Sequence, residues 1–216
     1  MELISEALAY IQDNPGRFWE QLWAHVRLSA TALAIAVALF VPLGVLASRS
    51  RRLGPTLLSA VAAVRVVPSI AILFLLLPTM GLGNGPALVA LTALAGPPLI
   101  INTDAGLRNV DPAVLENARG LGMNLAQSFA RVQFPLALPV VIAGIRTAAV
   151  EIIASATLAA LIGADGLGYF ISSGLALVDY RLLLVGAVPV TLLALLAEVS
   201  LGWLERAVTP PVAGNR

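Results

Sequence analysis

The sequence has 216 residues, of which 59% are apolar and 12% carry a charge. A water-soluble domain usually carries about 25% charged residues, so this composition is typical of a protein built for lipid. The net charge of +1 gives no reason to expect a nucleic acid partner, and the lack of cysteine excludes disulfides and thiol catalysis. The chain also lacks a Gly-x-x-x-x-Gly-Lys-Ser/Thr phosphate loop, so the energy for any pumping must come from elsewhere.

The N-terminal residues 1–27 mix charged and apolar side chains, and their aromatic residues cluster just before the first long apolar run. Because Trp prefers the depth of the lipid headgroups, Trp19 and Trp23 predict a segment that lies in the membrane interface or enters it. His25, the single histidine of the sequence, is expected to be an interfacial side chain as well. Residues 28–48 form an uncharged run of 21 residues, which is long enough to cross a bilayer and predicts the first transmembrane helix.

The second predicted span covers residues 53–77 and is interrupted by Arg65. Residues 66–103 then carry no charge at all. As one continuous helix they would be about 57 Å long, nearly twice the thickness of the hydrocarbon core. The chain must therefore fold back, and the Gly- and Pro-rich residues 78–86 predict the turn.

A short third span is predicted over residues 87–101, with an irregular end around Pro97 and Pro98. A polar loop over residues 104–135 separates it from the fourth span, which is predicted over residues 136–161. Because the loop is polar and lies between two strongly apolar halves, it is expected to be exposed to water.

The last third of the sequence predicts one more span. Residues 163–180 are rich in Gly and Ser and predict a short helix that dips into the interface, and residues 182–204 predict the fifth transmembrane helix. Residues 205–216 are expected to form a poorly ordered tail. The fold class is thus an all-α polytopic membrane protein with five transmembrane helices, whose transmembrane domain covers residues 28–204.

The arginines predict the orientation in the membrane. If the first helix runs inward, eight arginines fall on one side and three on the other. Basic residues mark the cytosolic side, so the polar loop and the C-terminus are expected in the cytosol and the N-terminus outside. The larger group contains Arg49, Arg51, Arg52, Arg108, Arg119, Arg131, Arg206 and Arg216, and the smaller group contains Arg17, Arg27 and Arg181.

Three charged residues, Arg65, Arg146 and Glu151, lie inside predicted spans. A charge at mid-membrane costs at least ~2.5 kcal/mol, so such residues normally face protein or a water-filled path. Two interpretations of Glu151 stay open. It forms a structural ion pair with Arg65 or Arg146, or it lines a translocation path in which its carboxylate attracts a cationic substrate.

Pro68 and Ser69 also have two interpretations. A proline inside a span frees backbone carbonyls, so the pair forms either a pivot in the pore wall or a packing kink. Runs of small residues in the fourth span, such as Ala143 and Gly144, permit close helix contacts and predict an interface with a second copy of the protein. The sequence has no catalytic triad, no carboxylate pair at hydrolase spacing and no metal-ligand cluster, so it does not predict an enzyme.

The polar residues 116–135 predict a compact helical knob with a small-residue notch. The expected parts are a cap at Asp111 with Pro112 in the first helical turn, a break at Gly120 and Gly122, a second cap at Asn124 and a stop at Pro135. A polar loop of this length is usually functional, and its shape is suited to docking into a groove on another protein.

This stretch resembles the EAA loop of the permease subunits of binding-protein-dependent ABC importers, whose pattern is Glu-Ala-Ala, three residues, Gly, nine residues, Ile-x-Leu-Pro. Identity and spacing match at Glu116, Ala118, Gly122 and Pro135. Asn117 replaces the second-position Ala, whereas Val132 and Phe134 replace the Ile and the Leu and keep those positions apolar.

The surrounding residues 26–205 resemble most the permeases for osmoprotectants such as glycine betaine, choline and carnitine. The segments that carry this resemblance are Val41-Pro42-Leu43-Gly44, Val67-Pro68-Ser69 and Asp104-Ala105-Gly106-Leu107.

The resemblance implies the membrane subunit of an ATP-driven importer in the plasma (inner) membrane of a bacterium or archaeon. A second permease would complete the pore, and an extracytoplasmic binding protein would deliver the solute. Cytosolic ATPases, which use ATP and Mg, would bind the loop. This chain would bind no cofactor itself. The residues implied in that contact are Glu116, Asn117, Ala118, Arg119, Gly120, Gly122 and Pro135.

Two other functions stay open. One is an ABC permease for another small zwitterion or amino-acid derivative. The other is a self-sufficient carrier driven by an ion gradient. Such a carrier is expected to have internal repeats and discontinuous helices in both halves. The sequence shows no such repeat.

Overall fold

A computed structural model describes residues 2–50 and 53–209, and this part of the chain is helical without any β-strand. Its α-helices are, in chain order, α1 Glu2–Asp13, α2 Pro15–Arg49, α3 Leu53–Val64, α4 Ser69–Leu75, α5 Leu77–Met80, α6 Asn84–Leu94, α7 Gly96–Arg108, α8 Pro112–Gly120, α9 Leu125–Ser128, α10 Phe134–Ser155, α11 Gly168–Leu177 and α12 Tyr180–Val208. A π-helical turn, Phe129–Gln133, joins α9 to α10, and a 3-10 turn, Leu158–Ile162, follows α10.

Four helical stretches of the described chain are long and apolar enough to cross a membrane. They are Pro15–Arg49, Asn84–Arg108, Leu125–Ser155 and Tyr180–Val208. A fifth crossing is possible if Gly54–Val64 and Ser69–Met80, which are bent by 91° at the break between them, count as one span. The prediction of an all-α polytopic membrane protein is confirmed.

The first span starts earlier than predicted. α2 begins at Pro15 and has 35 residues, so residues 15–27 belong to the spanning helix and only α1 forms a separate N-terminal helix. Pro15 occupies the first turn, where proline is well accommodated. The sequence pattern placed the start at residue 28 because Arg27 ends the uncharged run, but a charge near the interface does not end a helix.

The second span is broken where the sequence has Pro68. α3 ends at Val64 and α4 begins at Ser69, and Pro68 is extended with φ −58° and ψ 137°. Proline disfavours a helical residue before it, which explains why the chain leaves the helix here. The predicted turn that follows is confirmed, with Gly81 and Gly83 at φ +73° and +110°.

The third span is longer than predicted. Pro97 and Pro98 stand in the first turn of α7 rather than at the end of the span, and the helix continues to Arg108. Proline is tolerated at a helix start as well as after a helix end, so the pair alone did not distinguish the two. The predicted loop over residues 104–135 is therefore helical at its start.

The other end of the loop also differs from the prediction. Pro135 does not close a helix but lies in the first turn of α10, and the helix is continuous through the π turn from Leu125 to Ser155. The short helix predicted within residues 163–180 is present as α11. α12 continues to Val208, so the first residues of the predicted tail are helical. The rest of that tail, with Arg216, and Arg51 and Arg52 lie outside the described residues.

Helix α7 lies at the centre of the bundle, packed between α2 and α10. Two glycines allow the close approach: a Cβ added to Gly44 of α2 would lie 2.6 Å from Cβ of Thr103, and one added to Gly144 of α10 would lie 2.7 Å from Cβ of Asn102. Small residues let helix backbones approach in this way in a membrane. The prediction that the run containing Gly144 faces a second copy is therefore wrong for this residue, which packs inside its own chain.

Candidate functional site

The first helix of the polar loop is capped as predicted. The Asp111 carboxylate accepts a hydrogen bond from the Ala113 backbone amide at 2.8 Å, and Pro112 stands in the first turn of α8. Of the residues implied in docking, Ala118 is buried, whereas Glu116 and Asn117 are exposed. Because α8 is held by Ala118 on one side, its other side is free to meet a partner.

The small-residue notch is open. Gly122 has φ +85°, and no described atom lies within 4 Å of a Cβ added to Gly122 or to Gly120. The Gly122 amide donates to the Arg119 carbonyl at 2.9 Å, so Gly122 ends α8 in the left-handed conformation that glycine adopts without steric cost.

The second helix of the loop begins with the predicted cap at Asn124. Its side chain accepts from the Gln127 amide at 2.9 Å, and the Gln127 side chain accepts from the Asn124 amide at 3.0 Å, which forms a capping box. Leu121 and Leu125 flank the notch and are 81% and 74% exposed. Two large apolar side chains held out by capped helices are suited to burial against another protein.

Arg108 joins the ends of two spans next to the loop. Its Nε lies 2.8 and 2.9 Å from the two carboxylate oxygens of Asp104, and its Nη2 donates to the Ala47 carbonyl oxygen at 2.7 Å. A Cβ added to Gly54 at the start of α3 would lie 2.6 Å from Arg108 Nη2. One guanidinium thus holds together the ends of α2 and α7 and the start of α3.

Two contacts extend this junction to the π turn. The Gln133 side chain donates to the Leu107 carbonyl oxygen at 3.2 Å, and the Arg49 guanidinium lies 4.3 Å from the centre of the Phe129 ring. The sequence analysis did not identify Arg108 as a site residue. The four-residue spacing of Asp104 and Arg108 on one helix is the signal that could have found the pair.

The break between α3 and α4 opens into a cavity of about 210 Å³ on the membrane-embedded part of the chain. It brings together four of the residues predicted from the sequence, Arg65, Pro68, Ser69 and Glu151. Irregular backbone at membrane depth is tolerated where it lines protein or a cavity, and residues 64–69 at this break all line the cavity.

Arg146 is not part of this cavity, and the predicted ion pair between Arg146 and Glu151 is wrong. The Arg146 guanidinium instead lies 3.5 Å from Glu198 and 3.3 Å from Glu205, both on α12. Residues five apart on a helix are about 140° apart around its axis, so the two side chains of α10 point to different neighbours. Within the described residues, no salt bridge joins Glu151 to Arg65 either, although both line the cavity.

His25 is buried, so the expectation of an interfacial side chain is wrong. Its Nε2 lies 3.1 Å from the Ile153 carbonyl oxygen, and its side chain lines a second, largely apolar cavity with Ser29 between α2, α10 and α12. The cause is that α2 already begins at Pro15, so His25 lies within a long helix and faces α10.

The end of the bundle remote from the polar loop is held by hydrogen bonds between turns. Asn84 donates to the Asp165 carboxylate at 2.8 Å and accepts from the Asp165 amide at 2.9 Å, and Gln21 accepts from the Gly166 amide at 2.8 Å. At the same end, hydrogen bonding from the Arg181 guanidinium holds the pKa of the Asp179 carboxyl below its usual range. Across the described ranges there is no group of His, Cys, Asp and Glu that could hold a metal.

Known proteins with similar sequences are transport proteins. The family described as the binding-protein-dependent transport system inner membrane component matches residues 20–210. The chain is 42% identical to the carnitine transport permease protein OpuCB of Listeria monocytogenes, over 94% of this chain and 93% of that protein. It is 39% identical to the choline transport system permease protein OpuBB of Bacillus subtilis (strain 168), over 93% of each. It is 36% identical to the osmoprotectant import permease protein OsmW of Salmonella typhimurium, over 95% of this chain and 98% of that protein.

Solved structures share the fold at lower sequence identity. The inward-facing MetNI methionine ABC transporter superposes with a TM-score of 0.82 at 20% identity, over 90% of this chain and 97% of that chain. An amino acid ABC transporter superposes with a TM-score of 0.74 at 22% identity, over 93% and 97%. The family match covers most of the sequence, and the chain therefore belongs to the inner membrane components of binding-protein-dependent transport systems and is a multi-pass membrane protein.

Proposed function

We propose that this chain is the permease subunit of an ABC importer that carries quaternary ammonium osmoprotectants such as glycine betaine, choline or carnitine into the cytoplasm. The support for the solute class is the naming of its relatives, which are permeases for carnitine, choline and osmoprotectants. Cytosolic ATPase subunits supply the energy with ATP and Mg, an extracytoplasmic binding protein delivers the solute, and a second permease completes the pore.

The observation that carries the coupling step is the exposed surface of α8 and α9, because the π turn that follows α9 contacts the ends of α7 and α2 through Gln133 and Arg49. The ATPases bind this surface at Glu116, Asn117, Arg119, Gly120 and Gly122, next to the exposed Leu121 and Leu125. When ATP closes the ATPase dimer, the surface moves, and the junction transmits the movement to α2, α3 and α7. A shift of a packed element between two discrete arrangements is the general way in which such a movement reaches a distant site.

The bend between α3 and α4 forms the gate of the path. Pro68 and Ser69 stand at the bend, and Glu151 faces the same cavity from α10. A break in the helical hydrogen bonding lets α3 and α4 change their angle without breaking regular helix, and a carboxylate at this depth attracts an onium group. The loop end of the bundle lies in the cytosol, and α1 lies on the outer side.

Reconstitution in liposomes tests the function. The chain is purified with its ATPase and binding protein, and uptake of labelled glycine betaine and choline is measured with and without ATP inside the liposomes. ATP-dependent uptake that needs the binding protein is expected. Uptake by the chain alone, driven by a sodium or proton gradient, would instead favour the ion-gradient carrier.

A further inference from the structure

We propose that Arg65 and Glu151 form a divided charge site that selects solutes carrying both an onium group and a carboxylate over solutes carrying the onium group alone. Glu151 receives the quaternary ammonium, and Arg65 receives the carboxylate of the same solute. This inference rests on the proposed function, to which it adds a recognition site and a rank order of substrates.

The first observation is that the two opposite charges share one cavity without binding each other. Arg65 and Glu151 both line it, and within residues 2–50 and 53–209 neither side chain has a salt bridge or hydrogen bond of its own. Charged groups at membrane depth are costly unless they are paired or wet. Two such groups that face one cavity and remain apart are therefore available to a ligand.

The second observation is the position of the pair. Arg65 immediately follows the end of α3 at the 91° bend, and Glu151 lies on α10, so the two charges reach the cavity from different helices. A change in the bend would move one charge relative to the other. The affinity of the site for solute would therefore change with the bend angle, so that solute is bound in one arrangement of the gate and released in another.

The rest of the cavity wall matches a methylated onium solute. Leu94 and Pro97 contribute apolar surface, and Ser69 and Ser155 contribute hydroxyl groups. Apolar surface suits the methyl groups of a quaternary ammonium, which cannot donate hydrogen bonds. The charged guanidinium is planar and matches a carboxylate with two parallel hydrogen bonds.

The same pair discriminates against choline. A solute without a carboxylate leaves the Arg65 guanidinium unpaired and brings a second positive charge close to it. Like charges that are brought close together repel each other. Specificity of this kind arises from a penalty against the wrong solute as well as from a contact with the right one.

The experiment compares glycine betaine with choline, which differ in the carboxylate. Uptake of both is measured with the reconstituted complex carrying wild-type chain, Arg65→Gln, Glu151→Gln or Arg206→Gln. The last variant is the matched control, because Arg206 is an exposed arginine near the end of α12. Because the binding protein is the same in every sample, changes in the ratio of the two uptake rates belong to the membrane subunit.

Arg65→Gln is expected to lower the ratio of glycine betaine to choline uptake about tenfold or more, the size expected for losing a hydrogen bond between charged groups. Glu151→Gln is expected to lower uptake of both solutes, and Arg206→Gln is expected to leave the ratio unchanged. Arg65→Lys, which keeps the charge and loses the planar guanidinium, should fall between wild type and Arg65→Gln.

Three results would overturn the inference. The first is an equal loss of both solutes in Arg65→Gln, which would make Arg65 structural. The second is a wild-type complex that carries choline and rejects glycine betaine. The third is ATP-dependent uptake of neither solute by the wild type, which alone would also overturn the substrate class of the proposed function.

Discussion

Arg108 Nη2 donates a hydrogen bond to the Ala47 carbonyl oxygen at 2.7 Å, so a side chain near the last turn of α7 caps the C-terminal end of α2. The Ala47 carbonyl also accepts from the Ser50 backbone amide at 3.2 Å. The guanidinium adds a second, charged donor at the C-terminal end of α2, where a positive charge interacts favourably with the helix dipole. Asp104 holds the guanidinium in place with both carboxylate oxygens.

Replacement of Arg108 with leucine is expected to destabilise the purified complex. Asp104 has only 6% of its side chain exposed, and the variant would leave this buried carboxylate unpaired. We expect the free energy of unfolding to fall by about 2 kcal/mol, which is less than for a fully buried pair because Arg108 itself is 40% exposed. Thermal unfolding followed by tryptophan fluorescence measures the change.

A double variant measures the interaction energy between Asp104 and Arg108. Asp104→Asn together with Arg108→Leu should lower the free energy of unfolding by less than the sum of the two single losses, because the second replacement no longer removes an intact interaction. Strictly additive losses would show that the two side chains act independently. ATP hydrolysis that continues while uptake falls would support a role for the junction in transmitting movement.

Arg146 provides a second stability prediction. Since Arg146 contacts Glu198 and Glu205, Arg146→Gln is expected to lower the melting temperature more than Glu151→Gln does. Glu151→Gln should leave stability almost unchanged and should lower uptake, because the carboxylate faces the cavity without a salt-bridge partner in the described chain. A larger loss of stability in Glu151→Gln would restore the structural interpretation of this residue.

Local chemistry explains which parts of the site were predictable from the sequence. Asp111, Asn124 and Gly122 were identified because a cap or a left-handed turn depends on a few neighbouring residues. The partners of Arg146 were not predictable, because Glu198 and Glu205 lie on a helix more than fifty residues away along the chain. Charge alone does not show which acidic residue lies near Arg146. The same holds for His25, whose burial depends on where α2 crosses α10.

The prolines of the sequence indicate where helices are interrupted, but they do not distinguish a bend from the start or the end of a helix. Pro68 coincides with a bend of 91° between helices, whereas Pro97 and Pro135 stand in first helical turns. Proline has no backbone N–H donor, so it is compatible with a helix start, a helix end and a kink. Tertiary packing decides among them, and this is why the boundaries of the third span and of the loop were wrong while the number of crossings was close.

The orientation of the chain can be tested by labelling in intact cells. The sequence has no cysteine, so single cysteines can be introduced without background. Ala113 on α8 and Ala176 on α11 are both exposed and lie at opposite ends of the bundle. An impermeant thiol reagent should label Ala176→Cys and spare Ala113→Cys, whereas lysed cells should label both. Labelling of Ala113→Cys alone in intact cells would invert the proposed topology.

The docking surface is tested most cleanly at Gly120. Gly120 has helical backbone, and no described atom lies within 4 Å of an added Cβ, so Gly120→Leu should fold normally while filling the notch. We expect the variant to recover less ATPase in a pull-down and to lose uptake about tenfold or more, as for a side chain placed in the centre of an interface.

Two further glycines serve as controls for this variant. Gly16→Leu introduces the same side chain into equally open space at the start of α2, at the other end of the bundle, and should leave ATPase binding unchanged. Gly122→Leu is the less informative test, because φ +85° is unfavourable for leucine and the variant would combine backbone strain with a filled notch. Gly122→Asn tolerates this conformation better and should bind more ATPase than Gly122→Leu. Normal ATPase recovery and normal uptake in Gly120→Leu would mean that the ATPase does not bind at the notch, whatever the Gly122 variants do.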